Sequence, residues 1–247
     1  MSEQTVTITT PDGQAPARLF TPAMSAETRW PGVVYLTDIW GIRPATEKMA
    51  RRVADQGYAV LMPHLFYRNR PVVFDPLTKG QPRDRDAVPE LLASLPASRI
   101  VSDGVAYAQY LQQRPEVSGS KIAVVGYCFS GAMAVRIAAA LPDSVAAAAS
   151  FHGGRLVTEQ SDSPHTLIPN IKAELYFGHA VEDPSATPQQ IAQLDETLKG
   201  WGGVYQSEMY EGAHHGWTVE GRADVYNPKQ SERHFEKLFD LLRRTLK

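Results

Sequence analysis

Cysteine is nearly absent from this chain of 247 residues, which has only Cys128. A lone thiol excludes an internal disulfide and a thiolate-rich zinc site, leaving burial, a free thiol or a nucleophile as its roles. Long apolar runs are missing too. No stretch approaches the ~18 residues of a membrane-spanning helix, and Met1-Ser2-Glu3-Gln4-Thr5 has neither the basic start nor the apolar core of a secretory signal. The expectation is a cytoplasmic protein with no membrane partner. Neither sign of charge is in excess, since 25 basic and 27 acidic residues give a net charge of −2. That balance argues against nucleic acid as a partner, and the pairs Arg51-Arg52 and Arg243-Arg244 read as solvated helix faces. Repeats and low-complexity linkers are also lacking, so residues 1–247 read as one domain.

The residues that are present describe an α/β protein. Thr5 to Thr9 alternates polar and apolar, Pro11-Asp12-Gly13 marks a turn, and Ala15 to Thr21 returns, which predicts an N-terminal β-hairpin. Short apolar runs follow at Val33–Leu36, Ala59–Met62, Ile122–Val125, Val145–Ser150 and Leu175–Phe177, with a further strand at Val204–Tyr210. Continuously apolar strands between helices imply a mostly parallel sheet covered on both faces. Met49 with Val53, Ile191 with Leu194 and Leu198, and Phe235 with Leu238, Phe239 and Leu242 mark the buried faces of helices, the last starting near Lys229. Between Leu65 and Pro96 lie five prolines, ahead of a helix expected from about Ser98. A connection of that length, 65–97, reads as a lid or substrate loop.

The segment from Lys121 to Ala134 places a strand, a turn of small residues and an Ala-rich helix in succession, with Cys128 at the turn. This is the pattern of a nucleophile elbow, in which small residues two before and two after the nucleophile, here Gly126 and Ser130, relieve crowding. The helix N-terminus offers unpaired N–H groups for an oxyanion, that of Phe129 first. A dinucleotide-binding turn would need glycine at position 128 and an acidic residue about 20 positions on, and neither is present. A buried structural cysteine is the plain alternative. A nucleophile there requires an acid and then a histidine on later strand-end loops. Phe177-Gly178-His179-Ala180-Val181-Glu182-Asp183-Pro184 and Glu211-Gly212-Ala213-His214-His215-Gly216-Trp217 supply both in that order. His152, after the run ending at Ser150, stands at another strand end and could line the same crevice or simply mark a turn. No second cluster with ligand spacing accompanies the paired histidines, so no metal and no cofactor are expected.

Asp38-Ile39-Trp40-Gly41-Ile42, Gly126-Tyr127-Cys128-Phe129-Ser130-Gly131 and Gly212-Ala213-His214-His215-Gly216-Trp217 together resemble the dienelactone hydrolase family, the carboxymethylenebutenolidases. The resemblance spans nearly the whole chain and implies an α/β-hydrolase fold. It also implies hydrolysis of a small ester or lactone by a Cys-His-Asp triad through a thioester. By that match His215 is the base and His214 a wall residue, and Ile39 supplies the second oxyanion N–H. Asp38 is set beside the thiol, where a carboxylate would disfavour the thiolate until substrate arrives. The family places its acid three residues after Gly178, where this chain has Val181. Asp183 is therefore the candidate and Glu182 the second choice. The family also holds a substrate carboxylate with arginines, one soon after the histidine. Here Val219 takes roughly that place, leaving Arg222, Arg68 and Arg83 as cationic candidates, with Trp40 as a further substrate contact. An acyltransferase or a non-catalytic binding protein on the same scaffold are the alternatives, and the chain is expected as a monomer or homodimer.

Overall fold

A computed structural model describes residues 1–23, 28–69 and 88–246. The hairpin forms from β1 (Ser2–Thr10) and β2 (Gly13–Thr21), closing with Thr10 opposite Gly13. Six further strands follow: β3 (Trp30–Leu36), β4 (Ala59–Pro63), β5 (Val117–Tyr127), β6 (Val145–Phe151), β7 (Glu174–Ala180) and β8 (Tyr205–Tyr210). They form one sheet in the order β1-β2-β4-β3-β5-β6-β7-β8, antiparallel at β1–β2 and β2–β4 and parallel from β4 to β8. The helices are α1 (Pro44–Ala54), α2 (Val88–Ala93), α3 (Ala97–Gln112), α4 (Phe129–Ala140), α5 (Pro188–Trp201) and α6 (Pro228–Thr245).

The apolar runs have a double-sided origin. Successive strand residues point to opposite faces, and both faces are covered here. Val34 and Leu36 of β3, with Ile122 and Val124 of β5, join a core containing Tyr107 and Leu111 of α3 and Ile137 of α4. Val33 and Tyr35, with Ala123, Val125 and Tyr127, join a second core beneath Met49 and Val53 of α1 and Leu238 and Leu242 of α6. From Ile122 to Tyr127 of β5 and from Gly32 to Leu36 of β3 every position is buried, so alternation disappears from those runs.

The described parts of the 65–97 stretch are more ordered than a continuous loop. Residues 65–69 form a turn, Val88–Ala93 is helical, and α3 begins at Ala97. Proline does not prevent either helix, because Pro89 lies in the first turn of α2 and Pro96 caps α3, where the missing N–H is not needed. The remainder of that stretch, with Arg83, lies outside the described residues. Among the described residues no helix is long and apolar enough to cross a membrane.

The strand order positions the site. β3 is flanked by β4 on one side and β5 on the other, so the connections diverge there and leave a crevice at the carboxyl ends of β3 and β5. Leu36 pairs with Gly126 and Tyr127 with Phe151, so the chain leaves three adjacent strands at Asp38, Cys128 and His152.

Candidate active site

Cys128 caps α4 with φ 60° and ψ −130°, a conformation that side-chain-bearing residues rarely adopt. Its surroundings hold it there. Its N–H donates to the Phe151 carbonyl at 3.1 Å and to Nδ1 of His152 at 3.1 Å, while its carbonyl accepts from the N–H groups of Gly131 at 3.1 Å and Gly154 at 3.2 Å. The Ser130 hydroxyl accepts the N–H of Tyr127 at 2.8 Å and donates toward the Leu36 carbonyl at 3.0 Å, tying the turn to the end of β3. Phe129 follows as the first residue of α4, so its N–H has no acceptor within the helix.

The loops after β7 and β8 bring two further side chains to the thiol. Nε2 of His215 stands 3.1 Å from the Cys128 sulfur, and its Nδ1 is 2.6 Å from Oδ2 of Asp183. Oδ1 of Asp183 accepts from the N–H of Ser185 at 2.8 Å and from its hydroxyl at 2.7 Å. Both carboxylate oxygens are thus engaged, and the group is buried. Burial alone would raise the Asp183 pKa, but His215 and the Ser185 donors outweigh it and hold the carboxyl below its ordinary value. Burial likewise opposes charge on His215, yet Asp183 and the cysteine sulfur raise its pKa from 6.5 to about 10. Glu182 is exposed and in the left-handed backbone region at φ 51°, and His214 is also exposed.

His152 is fully within the site. A backbone N–H can only donate, so Nδ1 facing Cys128 is the bare nitrogen and the ring proton lies on Nε2, 3.0 Å from Oγ1 of Thr218. Burial, followed by the charges of His215 and His234, pushes its pKa well below the ordinary value, which keeps the ring neutral. The ring stands edge-to-face with His215 and with Trp217, each at 5.0 Å between centroids. The sequence left His152 as a strand-end residue that could line the crevice or mark a turn, and the structure places it in the crevice; nothing in the sequence reading pointed to Thr218 or Ser185. The Asp183-Pro184-Ser185 spacing was a usable signal, because an aspartate commonly accepts the N–H two residues on.

Two expectations are corrected. Asp38 is not an uncompensated carboxylate beside the thiol: Arg43 clamps it through two N–H···O bonds of 2.6 and 2.7 Å, and Oδ1 also accepts the N–H of Trp40 at 3.0 Å. Both side chains are buried, so the Asp38 carboxylate has the Arg43 guanidinium as its direct counter-charge. Arg43→Met leaves the carboxylate buried without its cation. It should cost about 3 kcal/mol and lower the thermal midpoint by roughly 6–12 °C, and an unchanged melting curve would contradict this. Arg68, taken as a cation for substrate, instead forms paired bonds of 2.7 Å to both oxygens of Asp103 and one of 2.9 Å to Asp12. Those bonds commit its guanidinium to tying the hairpin turn to α3. Arg222 is held by Asp224 at 2.8 Å and lies within electrostatic reach of both Cys128 and Asp38, and Trp40 is half-buried on the same strand-end loop. Among the described residues, no group of three or more His, Cys, Asp or Glu side chains is arranged to hold a metal ion.

A mostly parallel sheet covered on both faces, with a strained residue at the strand-to-helix turn and a histidine and an acid on later strand-end loops, defines an α/β-hydrolase. The chain belongs to the dienelactone hydrolase family, whose profile matches residues 15–246. The carboxymethylenebutenolidase homolog of Mus musculus is 28% identical over 194 residues, covering 78% of this chain and 72% of its own. A presumptive carboxymethylenebutenolidase of Synechocystis sp. is 28% identical over 222 residues, covering 89% of this chain and 88% of its own. The crystal structure of a dienelactone hydrolase-like promiscuous phosphotriesterase from metagenomic libraries superposes with a TM-score of 0.84 at 21% identity, covering 99% of this chain and 98% of that one, a likeness of fold. The protein is thus a hydrolase acting on esters or lactones.

Proposed function

We propose that Cys128 is the nucleophile of a Cys-His-Asp triad that hydrolyses a small ester or lactone, of dienelactone type, through a thioester. The observation that carries this reading is the unbroken line of contacts from the Cys128 sulfur through both ring nitrogens of His215 to Asp183, at 3.1 and 2.6 Å. The sulfur attacks the carbonyl carbon, and any thiol proton passes to Nε2 of His215. The carbonyl oxygen, now anionic, takes hydrogen bonds from the N–H groups of Phe129 and Ile39, each of which lowers the barrier by about 3 kcal/mol. The carbon–oxygen bond to the leaving group then breaks, the proton on Nε2 goes to that oxygen, and the acyl group remains on sulfur. His215 next takes a proton from water as the water attacks the thioester, and the thiol leaves with the proton returned. Asp183 stabilises the imidazolium formed in each half-reaction. The neutral His152 ring acts as a positioning group, holding the backbone of Cys128 by its N–H.

Intact-protein mass spectrometry after brief exposure to an activated ester and to a dienelactone, quenched in acid, tests the reading directly. Wild type should gain the mass of the acyl group and release free acid, and Cys128→Ala should do neither. An adduct that persists in Cys128→Ala, or turnover in its absence, would move the nucleophile elsewhere.

A further inference from the structure

The chemistry above makes no use of His179, a buried side chain on β7, the strand whose following loop carries Asp183. Its ring is fixed at one end. The Ser207 hydroxyl of β8 has a single proton and donates it to Oδ1 of Asp195 in α5 at 2.7 Å, so Nε2 of His179, 3.1 Å from that same oxygen, must carry the ring proton and donate it. Burial lowers the His179 pKa against the opposing charges of Asp195 and Asp183, which keeps the ring neutral and Nδ1 bare. That bare nitrogen is buried and has no hydrogen-bond partner among the described residues. Buried acceptors in folded proteins are almost always met by a donor.

There is room for one. A cavity of about 10 Å³ is lined by His179, Ser185 and Gln190, with apolar side chains such as Leu156, Ala186 and Leu194 around them. A buried water needs roughly 10–15 Å³ and makes about three hydrogen bonds. Ser207, which takes Nε2, is not part of the lining, and the two ring nitrogens point in widely different directions, so Nδ1 is the nitrogen on the cavity side. The other polar groups have capacity to match. The Ser185 hydroxyl gives its proton to Oδ1 of Asp183 at 2.7 Å and keeps a lone pair. The Gln190 amide spends its oxygen on the N–H of Thr187 at 2.9 Å and one N–H on the Val157 carbonyl at 3.1 Å, and keeps a second N–H.

We propose that this cavity holds one water, which donates to Nδ1 of His179 and to Oγ of Ser185 and accepts the second N–H of Gln190, and that His179 is thereby a positioning residue for the triad acid. The proposal rests on the triad reading above. Its consequence lies in the Ser185 hydroxyl, which has two acceptors in reach, Oδ1 of Asp183 at 2.7 Å and Nδ1 of His215 at 3.3 Å. An O–H arriving from the cavity side keeps the Ser185 proton on Asp183 and strengthens that bond, since linked hydrogen bonds polarise one another. Without the water the hydroxyl can turn into the cavity, and Asp183 loses one of the donors that hold it in line with His215.

Two substitutions separate the ends of the ring. In His179→Asn the amide oxygen stands near the place of Nδ1 and can accept from the water, whereas in His179→Gln the amide nitrogen reaches toward Ser207 and the acceptor on the cavity side is gone. With an activated ester, kcat should fall about fivefold in His179→Gln at unchanged KM, the effect of one hydrogen bond lost in the transition state. His179→Asn should stay within about twofold of wild type. In a Ser185→Ala background His179→Gln should have no further effect on kcat, because the link to Asp183 is already cut. Equal losses in the two His179 variants, or an undiminished effect of His179→Gln in Ser185→Ala, would overturn the positioning role. A high-resolution crystal structure of wild type reads the water itself and needs neither a folded variant nor turnover. Density within hydrogen-bond distance of Nδ1 of His179, Oγ of Ser185 and the Gln190 amide nitrogen supports the proposal, and a dry cavity overturns it. A wild type that neither gains the acyl group nor turns over would instead count against the triad reading.

Discussion

Asp183→Asn should lower kcat/KM by about 10³-fold or more, whereas Glu182→Gln should stay within a few-fold of wild type. An amide cannot compensate the imidazolium that His215 becomes in each half-reaction, and its NH₂ can turn toward Nδ1 and impose the wrong tautomer. Ser185 sharpens the effect, because its N–H and hydroxyl already occupy Oδ1 and leave Oδ2 to the histidine. Glu182, exposed and turned by its positive φ, has no such place. Steady-state rates with an activated ester for the two variants decide the matter, and the reverse ranking would reassign the acid. The same contact has a pH signature. His215 has a folded pKa of about 10 against 6.5 as its ordinary value, so between those limits the folded protein binds the extra proton. Stability from this group is fully present below 6.5 and is lost as pH rises through 10. Denaturant midpoints measured across that window should fall in wild type, and fall less in Asp183→Asn, where the carboxylate that raises the His215 pKa is gone.

Gly126→Ala should remove both stability and activity. A β-carbon on Gly126 would lie far inside van der Waals contact of the Ser130 carbonyl and 2.8 Å from the Gly131 nitrogen, all of it backbone in the first turn of α4. Backbone cannot rotate away as a flexible side chain can, so the strand-to-helix turn must open or the helix must shift. Either movement displaces Cys128 from His215 and the Phe129 N–H from its oxyanion position. The expected cost is about 4 kcal/mol or more, at the upper end for overpacking, and a fall in thermal midpoint of roughly 8–16 °C. Gly200 is the control, since it lies in α5 with nothing within 4 Å of a new β-carbon. Gly200→Ala should be neutral or stabilise slightly. Equal melting temperatures for the two variants would show that the elbow tolerates a methyl group and that its glycine has another purpose.

Much of this protein was legible in one dimension because the rules that apply are short-range. A strand buried on both faces must be apolar throughout, so β3 to β7 announced themselves as runs, and the helices between them by spacing. The elbow was equally local, since a strained residue between strand and helix needs small neighbours at fixed offsets, and Gly126 and Ser130 stand there. The order nucleophile, acid, histidine then limited the partners to two loops. What the chain alone left open concerned groups brought together from separate strand ends, where register and backbone angle decide. Glu182 and Asp183 are adjacent carboxylates, and only the turn after β7 sends one inward and the other to solvent. Asp38 looked unaccompanied until Arg43 folded back on it, and Arg68 looked available until the hairpin turn and α3 delivered Asp12 and Asp103. The tautomer of His152 belongs to the same class. Local sterics and hydrophobic periodicity are written within a few residues and so determine the elements, but the partner of a charged or hydrogen-bonding side chain is set by distant segments that meet only in the folded sheet.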